Sequence, residues 1–227
     1  MDGAHPQPVT LTVDGATRVS GLWLSAPGAR SLFVMAHGAG AGMEHPFMSA
    51  VAAELAALGI SSLRYQFPYM EKRGKRPDPP ALCHATVRAA VDAAHGFEPA
   101  ARLVAGGKSF GGRMTSQAQA AAPLPHVRGL VFLGFPLHPP KQPSDSRAEH
   151  LGQVDIPMLF VQGTRDEFAE SAQLEPVIAR LGARASLRLV EGADHSFHVP
   201  ARSGRTDAQV RAEWLRTLAA WIDSLPA

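Results

Sequence analysis

Cysteine is nearly absent from this sequence: Cys83 is the single one among 227 residues. Without a second thiol no intramolecular disulfide can form, and a zinc site built from several cysteines is excluded. Long apolar runs are also missing, and no stretch approaches the length needed to cross a bilayer. The opening Met1-Asp2-Gly3-Ala4-His5-Pro6 has no basic start followed by an apolar run, so no secretory signal is read there. Nor is there much charge of one sign. The net charge of +2 and the pI near 9.0 come mostly from scattered arginines, too mild a bias for a nucleic-acid partner. Internal repeats and low-complexity linkers are lacking too. The expectation is a cytoplasmic protein with neither a membrane nor a nucleic-acid partner; its oligomeric state is left open.

What is present is an ordinary globular balance, 45% hydrophobic and 19% charged. That excludes disordered and fibrous classes. The length suits one core, so residues 1–227 are read as one domain. Residues 8–13 and 17–24 alternate apolar and polar about Asp14-Gly15, which predicts an antiparallel hairpin.

From residue 31 onward the pattern changes to short apolar runs. They are Ser31–Ala36, Ile60–Tyr65, Leu103–Gly106, Gly129–Gly134, Met158–Gln162 and Ser186–Val190. Such runs suit strands buried on both faces of a parallel sheet. Helices are predicted between them over Pro46–Leu58 (with Phe47, Val51, Leu55 and Leu58 at helical spacing), 82–95, 110–122 and 169–181. A last helix follows a possible Thr206/Gln209 capping box, with Val210, Trp214, Leu218, Trp221 and Leu225 on its apolar face. The expected fold is α/β: a three-layer α/β/α sandwich whose mostly parallel sheet carries an N-terminal antiparallel hairpin. The segment 136–156 is short and rich in Pro and polar residues, leaving little room for a cap domain.

Residues 107–111 read Gly107-Lys108-Ser109-Phe110-Gly111, the pattern G-x-S-x-G. A serine on a very tight strand-to-helix turn needs neighbours two positions away that lack side chains. The turn lifts the hydroxyl above the sheet edge and aims the N-terminus of the next helix at the reaction centre. The pentapeptide alone is a weak signal, but here a strand precedes it and a helix follows. Ser109 is therefore the candidate nucleophile, and Lys108 is expected to extend beside the helix.

A serine hydroxyl needs a general base at neutral pH. Ten histidines are available. His195, on the loop after the last strand, is chosen over His198 because it sits closer to the strand end. His5, His84, His95, His126, His138 and His150 read as surface or loop residues. The orienting acid should follow the preceding strand, which selects Asp166; its bland alternative is a helix N-cap. Asp194 adjoins His195 and is read as shaping the turn. The order Ser109, Asp166, His195 is that of hydrolases with a nucleophile elbow.

An oxyanion needs two N–H donors. Phe110, following the serine, should supply one, and the loop His37-Gly38-Ala39-Gly40 the other. Ala39 is nominated, with Gly40 as the alternative. His37 is expected to pin this loop through a backbone hydrogen bond.

The segments His37–Gly40, Gly106–Met114 and Gly192–Phe197 resemble those of the α/β-hydrolase superfamily, and look most like its small, capless, dienelactone-hydrolase-like members. Leu63–Glu71 is similar to a branch that includes bacterial proteins of unassigned activity and a subunit of a eukaryotic chromatin acetyltransferase complex. Serine stands where true dienelactone hydrolases carry cysteine. The resemblance implies hydrolysis of a small-molecule ester or thioester through a Ser109 acyl-enzyme, with no cofactor and no metal. A non-enzymatic interaction module on the same scaffold is the alternative. The basic run Glu71–Pro80 follows a strand end; it reads either as an anion-recognising loop near the site or as a solvated charge run.

Overall fold

The computed structural model describes residues 5–226; Met1–Ala4, part of the stretch read above for a signal segment, lies outside the described residues. The chain opens with β1 (Gln7–Thr12) and β2 (Arg18–Leu24), which pair antiparallel. Asp14 Oδ1 accepts the Ala16 and Thr17 N–H groups and closes the turn between them. Then come β3 (Ser31–Ala36), α1 (Pro46–Ala57), β4 (Ile60–Tyr65), α2 (Pro68–Glu71), α3 (Pro80–Phe97), β5 (Arg102–Lys108) and α4 (Phe110–Ala121). The remainder is β6 (Val127–Leu133), a 3₁₀ segment (Ser146–Gln153), β7 (Met158–Gly163), α5 (Ser171–Leu181), β8 (Ala185–Val190) and α6 (Asp207–Ser224), with short 3₁₀ turns at Gly182–Arg184 and Ala201–Ser203.

The eight strands form one sheet in the order β1-β2-β4-β3-β5-β6-β7-β8. β2 also pairs antiparallel with β4, and every later pair is parallel. Alternation along the strands builds two cores. In β3, Leu32 and Val34 join the layer packed on α3, α4 and α5, while Phe33 and Met35 join the layer packed on α1 and α6. This is the expected three-layer fold with its hairpin edge.

The predicted elements differ in detail. β5 continues two residues past Gly106, carrying Lys108 to the sheet edge. β6 begins at Val127 and stops before Gly134, whose φ of 72° breaks the strand. α3 starts two residues earlier than predicted because Pro80 fits the first helical turn. Leu58 is not part of the buried face of α1: it is 41% exposed at the C-cap, and Met48 and Ala52 are buried instead. α6 has the full capping box, Gln209 N–H to Thr206 Oγ1 and Thr206 N–H to Gln209 Oε1. It ends at Ser224, and Leu215 and Ile222 complete the buried face that Trp221 only partly joins. Segment 136–156 holds only the 3₁₀ turns, so the C-terminal edge of the sheet has no cap over it.

Candidate active site

Three strand ends deliver the three candidate side chains to one place. Ser109 follows β5, Asp166 follows β7, and His195 lies on the loop after β8. His195 Nε2 is 2.9 Å from Ser109 Oγ, and its Nδ1 is 2.7 Å from Asp166 Oδ2. Ser109 has φ 49° and ψ −115°, a region that non-glycine residues rarely occupy. The flanking glycines make that turn possible. A Cβ on Gly107 would lie 2.1 Å from the Ala36 carbonyl oxygen, and one on Gly111 would lie 2.5 Å from that of His37. The elbow is therefore pressed against the end of β3, which is where the Ala39 loop begins.

Asp166 is fully buried and both of its oxygens are engaged. Oδ1 takes the Phe168 N–H at 2.9 Å, and Oδ2 takes both the His195 ring and the Gln162 amide, the latter at 2.6 Å. Gln162 in turn accepts the Phe135 N–H through Oε1. Asp166 is not the cap of a helix, since α5 starts only at Ser171 with Glu170 at its N-cap. A carboxylate can only accept, so His195 Nδ1 carries a proton and Nε2 is bare toward Ser109. Asp194 points elsewhere: its Oδ1 holds the Ser196 and His198 N–H groups and shapes the loop. His198 is exposed and pairs with Asp207, whose hydrogen bond and charge raise its pKa.

The Ala39 loop is pinned from two sides. Its 38–41 turn closes with Ala41 N–H to Gly38 O, and Tyr69 donates its hydroxyl to Ala39 O at 2.7 Å. Burial raises the Tyr69 phenol pKa, keeping that proton in place. His37 Nδ1 faces Gly38 O, while Nε2 accepts the Phe67 N–H at 3.0 Å. Burial pulls this imidazole down to about 4, so it is neutral near pH 7. Neither the Ala39 nor the Phe110 N–H is used by an acceptor among the described residues, and the Gly40 N–H is equally free.

Lys108 departs from its expected course. Instead of lying along α4, it crosses to donate to the His195 carbonyl, with its ammonium 5.3 Å from the Phe197 ring centroid. Burial lowers its pKa to about 8, against the opposing pull of Asp166 and Asp194. His138, read as a surface or loop residue, sits on a loop but is buried, bonded to Gln173. His150 is half-buried against Ser116 and is pulled down to about 4 by burial and by Arg113. Sequence reasoning missed Gln162, Tyr69 and Phe168; the Phe168 ring lies 4.4 Å from the His195 ring, centroid to centroid.

Ser109 opens onto two cavities. One, of about 380 Å³, is lined by His195, Ser196, His45, Phe47 and Met48. The other, of about 430 Å³, is lined by Phe110, Arg113, Met114, Pro136 and Arg147 and excludes His195. Ala39 and Phe168 border both. The basic run is mostly solvated: Lys72, Arg73, Lys75 and Arg76 line no cavity that contains Ser109, and only Pro77, Asp78 and Pro80 reach one. Among the described residues no group of three or more His, Cys, Asp or Glu side chains is placed to hold a metal ion. No helix among them is long and apolar enough to cross a membrane.

The family described as alpha/beta hydrolase domain matches residues 29–223. Among solved structures, an α/β serine hydrolase without lid from Xanthomonas campestris superposes with a TM-score of 0.73 at 19% identity, over 98% of this chain and 96% of that one. Dienelactone hydrolase from Anabaena variabilis gives 0.70 at 22% identity, over 94% and 98%. An esterase from Pyrococcus furiosus gives 0.76 at 15% identity, over 99% and 94%. At such identities these likenesses speak to the fold.

Proposed function

The chain belongs to the alpha/beta hydrolase domain family, and we propose that within it this protein is a serine hydrolase cleaving small carboxylic esters or thioesters through a Ser109 acyl-enzyme. The observation that carries the reading is the continuous relay from Ser109 Oγ through the His195 ring to buried Asp166. His195 takes the serine proton as the hydroxyl attacks the acyl carbon, and Asp166 steadies the resulting imidazolium. The oxyanion is held by the Phe110 N–H and by Ala39 N–H across the pocket, with the N-terminus of α4 adding its partial positive charge.

Collapse of the tetrahedral intermediate requires His195 to return its proton to the leaving oxygen or sulfur. The leaving group therefore occupies the cavity that His195 lines, and the acyl group occupies the cavity between Phe110, Met114 and Pro136. Water then enters on the leaving-group side and His195 activates it in turn. With no cap over the sheet edge, small and freely diffusing esters are the fitting substrates.

Reaction with a fluorophosphonate, followed by mass spectrometry, tests the reading. The adduct is expected on Ser109 and is lost in Ser109→Ala, which also loses turnover of p-nitrophenyl esters and acyl-thioesters while remaining folded by circular dichroism. An adduct elsewhere, or none on folded protein, would refute it and favour an interaction module.

A further inference from the structure

The acyl-side cavity is lined by two arginines that, among the described residues, have no charged partner. Arg113 lies in the first turn of α4 and Arg147 in the 3₁₀ segment Ser146–Gln153, so two unrelated elements bring arginines to one cavity, near enough for the Arg147 charge to act on Arg113. Among the described residues neither group forms an ion pair or donates a hydrogen bond. The Arg113 Nε is buried and unsatisfied, with the guanidinium carbon 5.8 Å from the Phe110 ring centroid. The one carboxylate lining the cavity, Asp78, is engaged by the Tyr69 N–H at 2.7 Å.

This arrangement is unfavourable on its own. A cation in the first turn of a helix opposes the helix dipole, and two like charges sharing a partly desolvated cavity repel each other. Burial and the neighbouring Arg147 both lower the pKa of Arg113. An incoming anion would relieve all of these costs at once, and arginine presents donors in the fork that a carboxylate matches.

We propose that the acyl group of the substrate ends in a second carboxylate, bound between Arg113 and Arg147, so that the substrates are half-esters or half-thioesters of short dicarboxylic acids. This rests on the assignment of Ser109 as nucleophile and of the Phe110 side as the acyl side. Arg113 is four residues beyond Ser109, about 6 Å along the helix axis, which matches an acyl chain of a few carbons.

The test compares kcat/KM for mono-p-nitrophenyl glutarate with that for p-nitrophenyl pentanoate, a neutral acyl chain of the same length. The wild-type ratio of glutarate to pentanoate should be about ten or more, and it should fall about tenfold in Arg113→Gln and in Arg147→Gln, chiefly through KM. Arg147→Gln, on a short 3₁₀ turn, keeps the test valid should the Arg113 variant fail to fold. Arg73→Gln, on the basic loop outside this cavity, serves as the control and should leave the ratio unchanged. A wild-type ratio of one or less, or a ratio unmoved by Arg147→Gln, overturns the proposal while leaving the hydrolase reading intact. A folded protein that labels at Ser109 but turns over neither ester also overturns it, whereas absence of Ser109 labelling overturns both readings.

Discussion

Acid should loosen this fold through His37 before most carboxylates are protonated. The ring is buried with both nitrogens committed: Gly38 O can only accept and the Phe67 N–H can only donate, so Nδ1 is protonated and Nε2 is bare. A second proton on Nε2 would face the Phe67 N–H and abolish that hydrogen bond inside a desolvated site. Burial accordingly holds the pKa at about 4, against 6.5 for a free histidine. Because the folded pKa is the lower one, the unfolded chain binds the proton first as pH falls. The stabilisation is complete above pH 6.5 and is lost progressively as pH drops through about 4. At ~1.36 kcal/mol for each pH unit that separates the two values, the loss is about 3 kcal/mol. Urea unfolding at intervals from about pH 7.5 to 4 should show this decline in the wild type. In His37→Gln, whose amide oxygen can accept the Phe67 N–H without titrating, the decline should be smaller by about that amount. Other groups titrate equally in both proteins, so the difference between the curves isolates His37. Parallel curves would refute the reasoning.

Two further expectations concern the network around the candidate triad. Asp166→Asn should cut kcat on an ester by up to about 10⁴-fold through the wrong imidazole tautomer, whereas Asp194→Asn should cost far less; assays on both folded variants decide it, and the reverse ranking would displace Asp166. Lys108 has a folded pKa of about 8, below its usual 10.5, so its neutral form favours the native state. Stability should therefore gain a contribution as pH rises from about 8 to 10.5, and urea unfolding of Lys108→Met over that window should lack it.

The skeleton of the fold is legible in the sequence because its signals are local. Each parallel strand is a short apolar run, and helix starts such as Thr206 and Pro46 carry their own chemistry. The same reading puts Ser109, Asp166 and His195 at three strand ends, which the topology then brings to one edge. The side-chain partners are not legible in this way. Gln162 closes an apolar run, and nothing in its neighbours says that it will be buried under Asp166. Lys108 reads as lying along α4 because only the adjacent helix is visible in sequence; the loop it reaches lies 87 residues later. Leu58 fits the helical spacing, but the helix ends before it and turns it to solvent. Arg147 sits in a segment of Pro and polar residues that predicts no regular element, so its convergence with Arg113 is a tertiary fact.

Those partners share a logic that bears on how the site keeps its geometry without a cap. The serine elbow, the Ala39 loop, the Asp166 turn and the His195 loop leave the sheet from different strands, and loops of this kind ordinarily move independently. Here hydrogen bonds tie them to one another and to neighbouring segments. Lys108, the residue before Ser109, grips the His195 carbonyl. Tyr69 and the Phe67 N–H, both following β4, hold the Ala39 loop through Ala39 O and His37. Gln162, at the end of β7, fixes Asp166 and reaches across to Phe135 beyond β6. Most of these links are buried and carry a charge or a committed proton, where a hydrogen bond is costly to break. Rigidity at the rim therefore comes from polar cross-links between the loops, which leaves the two cavities beside Ser109 open while Ser109, His195 and Asp166 stay in register.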